Sequence, residues 1–236
     1  MSQQAIVLKI FEYVLLLFSL SFHEAAHAWT ASRLGDQTAR MLGRITLNPA
    51  KHIDPIGTVL LPLAMLFLGP FGGNLLVGWA RPTPINTRNF RKYVRDDVLT
   101  TLAGPVSNLL LAVLCTLALV VLKHASPVAH AMVGGAALGG GFDPQLMSVA
   151  PAIFPAVLLL YLGLQLNLVL AVFNLLPLPP LDGSHLIRHL LPTRVLQYYD
   201  RLGMIGLVLV FIFGAQFIGA LVAPMIAVVN QILLVM

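Results

Sequence analysis

Cysteine, tryptophan and charge are scarce in this chain: one cysteine, two tryptophans, and charged residues at only 10% of 236 positions. A single cysteine excludes an internal disulfide and a cysteine-based metal cluster, and Cys115, midway along an apolar run, reads as a small buried side chain. Scarce charge excludes an ordinary soluble domain. With 58% hydrophobic residues and a mean hydropathy of +0.88, the chain is expected to be an all-α polytopic membrane protein folded as one bundle over residues 1–236. No internal repeat is found. A cleavable signal peptide is not expected either, because Lys9 and Glu12 interrupt the first apolar run.

The net charge of +5 does not point to nucleic acid, because the basic residues fall between apolar spans, as the positive-inside bias requires. Full spans are expected at about 5–34, 98–122 and 149–176. Residues 203–235 form either one kinked helix or two shorter pieces, given Gly214, Gly219 and Pro224. Pro55 to Trp79 is apolar but broken by Pro62, Gly69-Pro70 and Gly72-Gly73, a pattern for a broken or re-entrant segment enclosed by protein. Lys123 to Met147, with its glycine pairs, is expected to be a flexible loop. Arg44 to Asn48, or part of 55–79, is a candidate for a short membrane-associated strand whose edge could pair with an extended peptide.

Three polar residues stand near the end of the first apolar run, in Phe22-His23-Glu24-Ala25-Ala26-His27. On a helix, i and i+4 share a face, so His23 and His27 can converge on one metal ion while Glu24 sits beside them as a general base. Ionisable residues within a span are costly and are functional candidates by default. A catalytic zinc usually takes a third protein ligand. Among the other acids, Asp182 alone closes a long apolar span inside an apolar, proline-rich stretch; its competing reading is a turn aspartate before Gly183. His185 and His189, just beyond Asp182, are also spaced i, i+4, but no acid of their own lies nearby, and they receive no metal assignment. His52 and Asp54 are read as structural.

If Asp182 is to meet His23 and His27, an odd number of crossings must separate the first span from the span at 149–176, so 55–79 does not cross. One face then receives Arg33, Arg40, Arg44 and Lys51, then Arg81, Arg88, Arg91, Lys92 and Arg95, then Arg188, Arg194 and Arg201. Only Lys9 and Lys123 fall toward the other. The bias makes the first face cytoplasmic and puts the metal motif near it.

The pair of motifs, His23-Glu24-Ala25-Ala26-His27 and Asn174-Leu175-Leu176-Pro177-Leu178-Pro179-Pro180-Leu181-Asp182-Gly183, resembles the HExxH and NxxPxPxLDG patterns of the site-2 protease family of intramembrane zinc metalloproteases. Gly104-Pro105-Val106-Ser107-Asn108 is similar to the family's GPxxN element. The resemblance implies one zinc ion held by His23, His27 and Asp182, Glu24 as the base, and a three-span catalytic core. It also implies a membrane-anchored protein substrate cut within or beside its span, at the cytoplasmic side of a prokaryotic cell membrane. Asn108 and Asn174 become candidates to hydrogen-bond the substrate backbone or the oxyanion, with capping or interhelical bonding as the competing role. No stretch is long and polar enough for the PDZ or CBS domains of larger members, so a minimal member is expected. Two other classes stay open: a metal transporter, disfavoured by Glu24 and the lack of repeats, and an inactive relative acting as a chaperone, disfavoured by the complete motifs. The sequence names neither the substrate nor the oligomeric state.

Overall fold

The computed structural model describes residues 3–68, 78–142, 146 and 149–236. Helix α1 spans Gln3–Leu34, and Lys9 pairs with Glu12 at 2.6 Å near its start, three residues apart and so on neighbouring faces. Gly35 ends the helix at φ +123°, where a Cβ would also stand 2.7 Å from Asn89 O, so only glycine suits the turn. A single turn, α2 (Thr38–Met41), follows.

Asp54 caps the next element by accepting from the Ile56 and Gly57 N–H groups, which opens a π-helical stretch, Pro55–Leu60, running into α3 (Leu61–Leu68). The chain returns where it left: Trp79 N–H donates to Gly57 O and Arg81 N–H to His52 O. Both flanks of 55–79 therefore lie at the same end of the bundle. Asp36, fully buried, ties this end together by accepting from Thr38 Oγ1, Asn86 N–H and Asn89 Nδ2. Burial works to raise the Asp36 pKa, but these donors outweigh it and hold the carboxyl below the usual carboxylate range.

Helix α4 (Tyr93–Ala125) is the central element, packed along both α1 and α6 (Ile153–Asn174). It continues through Pro105. After α6 the chain turns through Leu175 to Leu181 into α7 (Asp182–Arg188), then into α8 (Thr193–Val235), which runs as one helix through Pro224 rather than as two pieces. The main core lies where α4, α6, α8 and α5 (Pro127–Ala137) meet, around Leu119, Met132, Val157, Leu164, Val222 and Leu233. Tyr93–Ala125, Ile153–Asn174 and Phe217–Val235 are long and apolar enough to cross a membrane. At 1.5 Å per residue, α1 with its 32 residues has the length as well, but carries Lys9, Glu12 and Glu24. The outer side of α4 exposes Leu110, Leu114, Leu117 and Val121, as a lipid-facing surface would.

Two expectations change. The glycine-containing stretch after Lys123 is helical: α4 continues to Ala125 and α5 occupies Pro127–Ala137. Ser126 caps α5, Pro127 begins it, and Ala129, Met132, Val133 and Ala136 bury one face; that burial overrides the helix penalty of Gly134 and Gly135. No strand occurs among the described residues, and 69–77 of the second candidate stretch lie outside them. Arg44 to Asn48 runs as irregular chain, because its backbone meets side chains and single loop contacts instead of a neighbouring ladder.

Candidate metal centre

The helical spacing brings His23 and His27 together on the face of α1 that meets α4. Their Nε2 atoms are 3.0 Å apart, and both rings are buried. Asp182, the first residue of α7, places Oδ2 at 3.0 Å from His23 Nε2 and 3.3 Å from His27 Nε2. The turn that delivers it needs Gly183, where a Cβ would fall 2.3 Å from Leu175 O.

The tautomers follow from the partners. His27 Nδ1 lies 2.7 Å from Thr100 O, a carbonyl, so Nδ1 must carry the proton. Asn167 Nδ2 donates to Ser19 Oγ and Gly163 O; its Oδ1 therefore accepts from Asn108 Nδ2, and Asn108 Oδ1 accepts from His23 Nδ1 at 2.6 Å. With Nδ1 carrying the proton of each neutral ring, both imidazoles turn the Nε2 lone pair toward Asp182.

Three such donors facing one another repel unless a metal ion, or a second proton on one ring, lies among them. Asp182 Oδ2 is buried, its near neighbours being those two Nε2 atoms. The edge of a tetrahedron of zinc ligands at bond lengths of about 2.0–2.1 Å is about 3.3 Å, close to all three separations. Gly104 of α4 faces the same space: a Cβ there would stand 2.3 Å from His27 Nε2 and 2.6 Å from His23 Nε2. The donors and the space fit a tetrahedral metal ion. Among the described residues, His23, His27 and Asp182 are the one group of three or more such side chains able to hold one.

Glu24 points to a different neighbour. Its Oε2 accepts from Thr83 N–H at 2.7 Å, and Thr83 Oγ1 donates to Glu24 O at 3.0 Å. Thr83 belongs to the extended chain Gly78 to Ile85, which Arg44 secures: its buried guanidinium donates to Lys51 O, Arg81 O and Pro82 O. Glu24 Oε1 has no hydrogen bond among the described residues.

Asn108 is fully buried with both ends of its amide bonded to protein. Asn174 ends α6 and donates to Leu170 O of its own helix. An open apolar cavity of about 290 Å³ lies between Phe22, Ala25, Ala26 and Trp29 of α1 and Ile45 to Leu47. At 100° per residue those α1 positions fall roughly opposite Glu24, so the cavity is not part of the centre. The sequence reading missed Thr83, Thr100 and Asn167. Thr83 meets the Glu24 carboxylate, and Thr100 meets His27, through backbone atoms, which leave no residue-type signature, while Asn167 stands in the middle of an apolar span and could have been noticed as a buried amide.

Residues 11–213 match the model of peptidase family M50. The chain belongs to this family. It is 44% identical over 182 residues to "Putative zinc metalloprotease YwhC" of Bacillus subtilis, covering 77% of this chain and 69% of that protein. "Putative zinc metalloprotease Rip2" of Mycobacterium tuberculosis is 31% identical over 199 residues, with 83% and 64% covered, and Rip2 of Mycolicibacterium smegmatis is 33% identical over 167 residues, with 71% and 52% covered. The chain thus spans about two thirds of YwhC and between half and two thirds of Rip2. No solved structure matches it. As an M50 peptidase the protein is a metalloprotease with zinc as its cofactor, built on membrane-type helices.

Proposed function

We propose that this M50 peptidase is an intramembrane endopeptidase that cleaves membrane-anchored proteins within or beside their spans, with His23, His27 and Asp182 holding zinc and Glu24 as the general base. The observation that carries the reading is the convergence of three metal-ligating side chains, two from α1 and one from α7, within a bundle whose outer faces are apolar. Zinc, when bound there, would polarise the scissile carbonyl and bring the pKa of water toward about 7.

The chain's own residues do the rest. Thr83 N–H holds one oxygen of the Glu24 carboxylate, leaving Oε1 to take a proton from water and return it to the leaving amine. Asn108 and Thr100 fix the imidazoles in the tautomer a metal requires, an orienting task that for Asn108 replaces contact with the oxyanion. Asn174 is left as the substrate-side candidate. The basic loops at the end of the bundle that carries Asp36, Arg44 and Arg81 make that end cytoplasmic, and the centre opens toward it in the cell membrane of a prokaryote.

The test compares purified wild type with Glu24→Gln on a single-span protein substrate in detergent or liposomes. Glu24→Gln is expected to bind zinc like wild type and to cleave at least about a thousandfold more slowly. Cleavage at wild-type rates by Glu24→Gln, or zinc transport without proteolysis in both proteins, would overturn the proposal.

A further inference from the structure

The inward face of α4 serves both histidines: Asn108 receives His23, Thr100 receives His27, and Gly104 leaves the space between them open. One turn before Thr100 the same face carries Asp97, whose side chain is only 9% exposed. Asp97 Oδ2 lies 2.8 Å from His189 Nε2 and 3.9 Å from His185 Nδ1. Those histidines belong to α7 and the residue that caps it, and α7 begins with Asp182. At 100° per residue, positions 182, 185 and 189 share one face of that helix. The α4 stripe thus touches two of the three donors directly and reaches the third through α7.

Helix α7 has seven residues and follows a proline-rich turn, too short to hold an orientation by its own hydrogen bonds. Its N-terminal end is set by the close approach of Gly183 to Leu175 O. Its far end, about 10 Å away at 1.5 Å per residue, is held by Asp97 and by the edge of the Tyr93 ring against His189, with centroids 5.6 Å apart. His189 is 13% exposed at the side chain, whereas His185 is 47% exposed and stands at the rim.

We propose that Asp97 and His189 form a positioning pair that seats α7 on α4 and thereby sets where Asp182 Oδ2 stands relative to the two imidazoles. This rests on the reading of His23, His27 and Asp182 as the zinc ligands. Neither residue touches the ion or the substrate; both act through the tilt of α7.

The experiment measures zinc affinity of the full chain in detergent by competition with a chelator, with helix content and the unfolding midpoint in excess chelator recorded alongside. His189→Leu is expected to bind zinc about tenfold more weakly with helix content retained, and His189→Gln, whose amide nitrogen can stand in for Nε2, within about threefold of wild type. Wild-type affinity in a folded His189→Leu, or equal losses in the Leu and Gln variants, would overturn the proposal. Asp97→Asn keeps the shape and exchanges a charge-assisted bond for a neutral one, so about threefold weaker zinc and an altered visible band of the cobalt-loaded protein are expected; both unchanged would also overturn it. Asp182→Ala separates the two levels. If it leaves zinc affinity intact, the ligand reading falls and this inference with it; if it weakens zinc while His189→Leu does not, only the positioning role falls.

Discussion

A methyl group on residue 104 would occupy the space that the two histidine Nε2 atoms face, which makes Gly104 a test of the centre without removing any donor. Alanine favours a helix more than glycine does, so Gly104→Ala keeps α4 helical while its methyl group crowds the two rings and blocks the ion. The expected outcome is intact helix content with zinc affinity lowered by about a hundredfold in chelator competition, the upper range for changes beside a metal site. Unchanged affinity would mean that the ion sits elsewhere. At this scale the ionisable side chains were readable in the sequence: His23, Glu24 and His27 declare themselves by helical spacing, and Asp182 by its place after an apolar span. It was silent where backbone atoms do the work, at Thr83 N–H and Thr100 O. Asp97 was legible only as an acid starting a span, because its partner His189 lies 92 positions away.

Among the elements, the helices were legible and the connections less so. Hydrophobic length marked α1, α4 and α6, whereas α5 was hidden by glycine pairs whose cost is met by burial against α4, α6 and α8. The chain around Arg44 illustrates the opposite error. The sequence suggests an exposed strand edge there, yet a single arginine organises it by donating to three carbonyls from two separate stretches, Lys51 on one side and Arg81 and Pro82 on the other. Arg44 therefore holds the segment that brings Thr83 to Glu24. Arg44→Met keeps much of the buried stem but abandons those carbonyls, and a destabilisation of about 3 kcal/mol is expected, since bonds to a charged donor count for more than neutral ones. Because the histidines and Asp182 are untouched, zinc affinity should change less than threefold while cleavage falls about tenfold or more, Glu24 having lost its fixed neighbour. Equal falls in zinc affinity and cleavage would show that Arg44 supports the whole centre and not the Glu24 side alone.

For the molecule as a whole, the three donors come from positions separated by most of the chain: His23 and His27 on α1, Asp182 on α7. The contacts between α1 and α6 and between α4 and α7 bring them together, and the centre itself places a buried carboxylate oxygen 3.0 Å and 3.3 Å from two imidazole nitrogens, an arrangement that calls for a metal ion or a proton between them. Zinc binding is therefore linked to folding. With free zinc at about a thousand times its Kd, the folded state gains about 4 kcal/mol, provided the unfolded chain binds the ion weakly. Thermal unfolding in detergent should show a midpoint that rises with zinc and falls in excess chelator, a fall that readdition of zinc reverses. In Asp182→Ala the dependence on zinc should shrink to a small fraction of the wild-type shift. A zinc-independent midpoint in the wild type would detach the metal from the fold. A full zinc shift in Asp182→Ala would detach Asp182 from the metal.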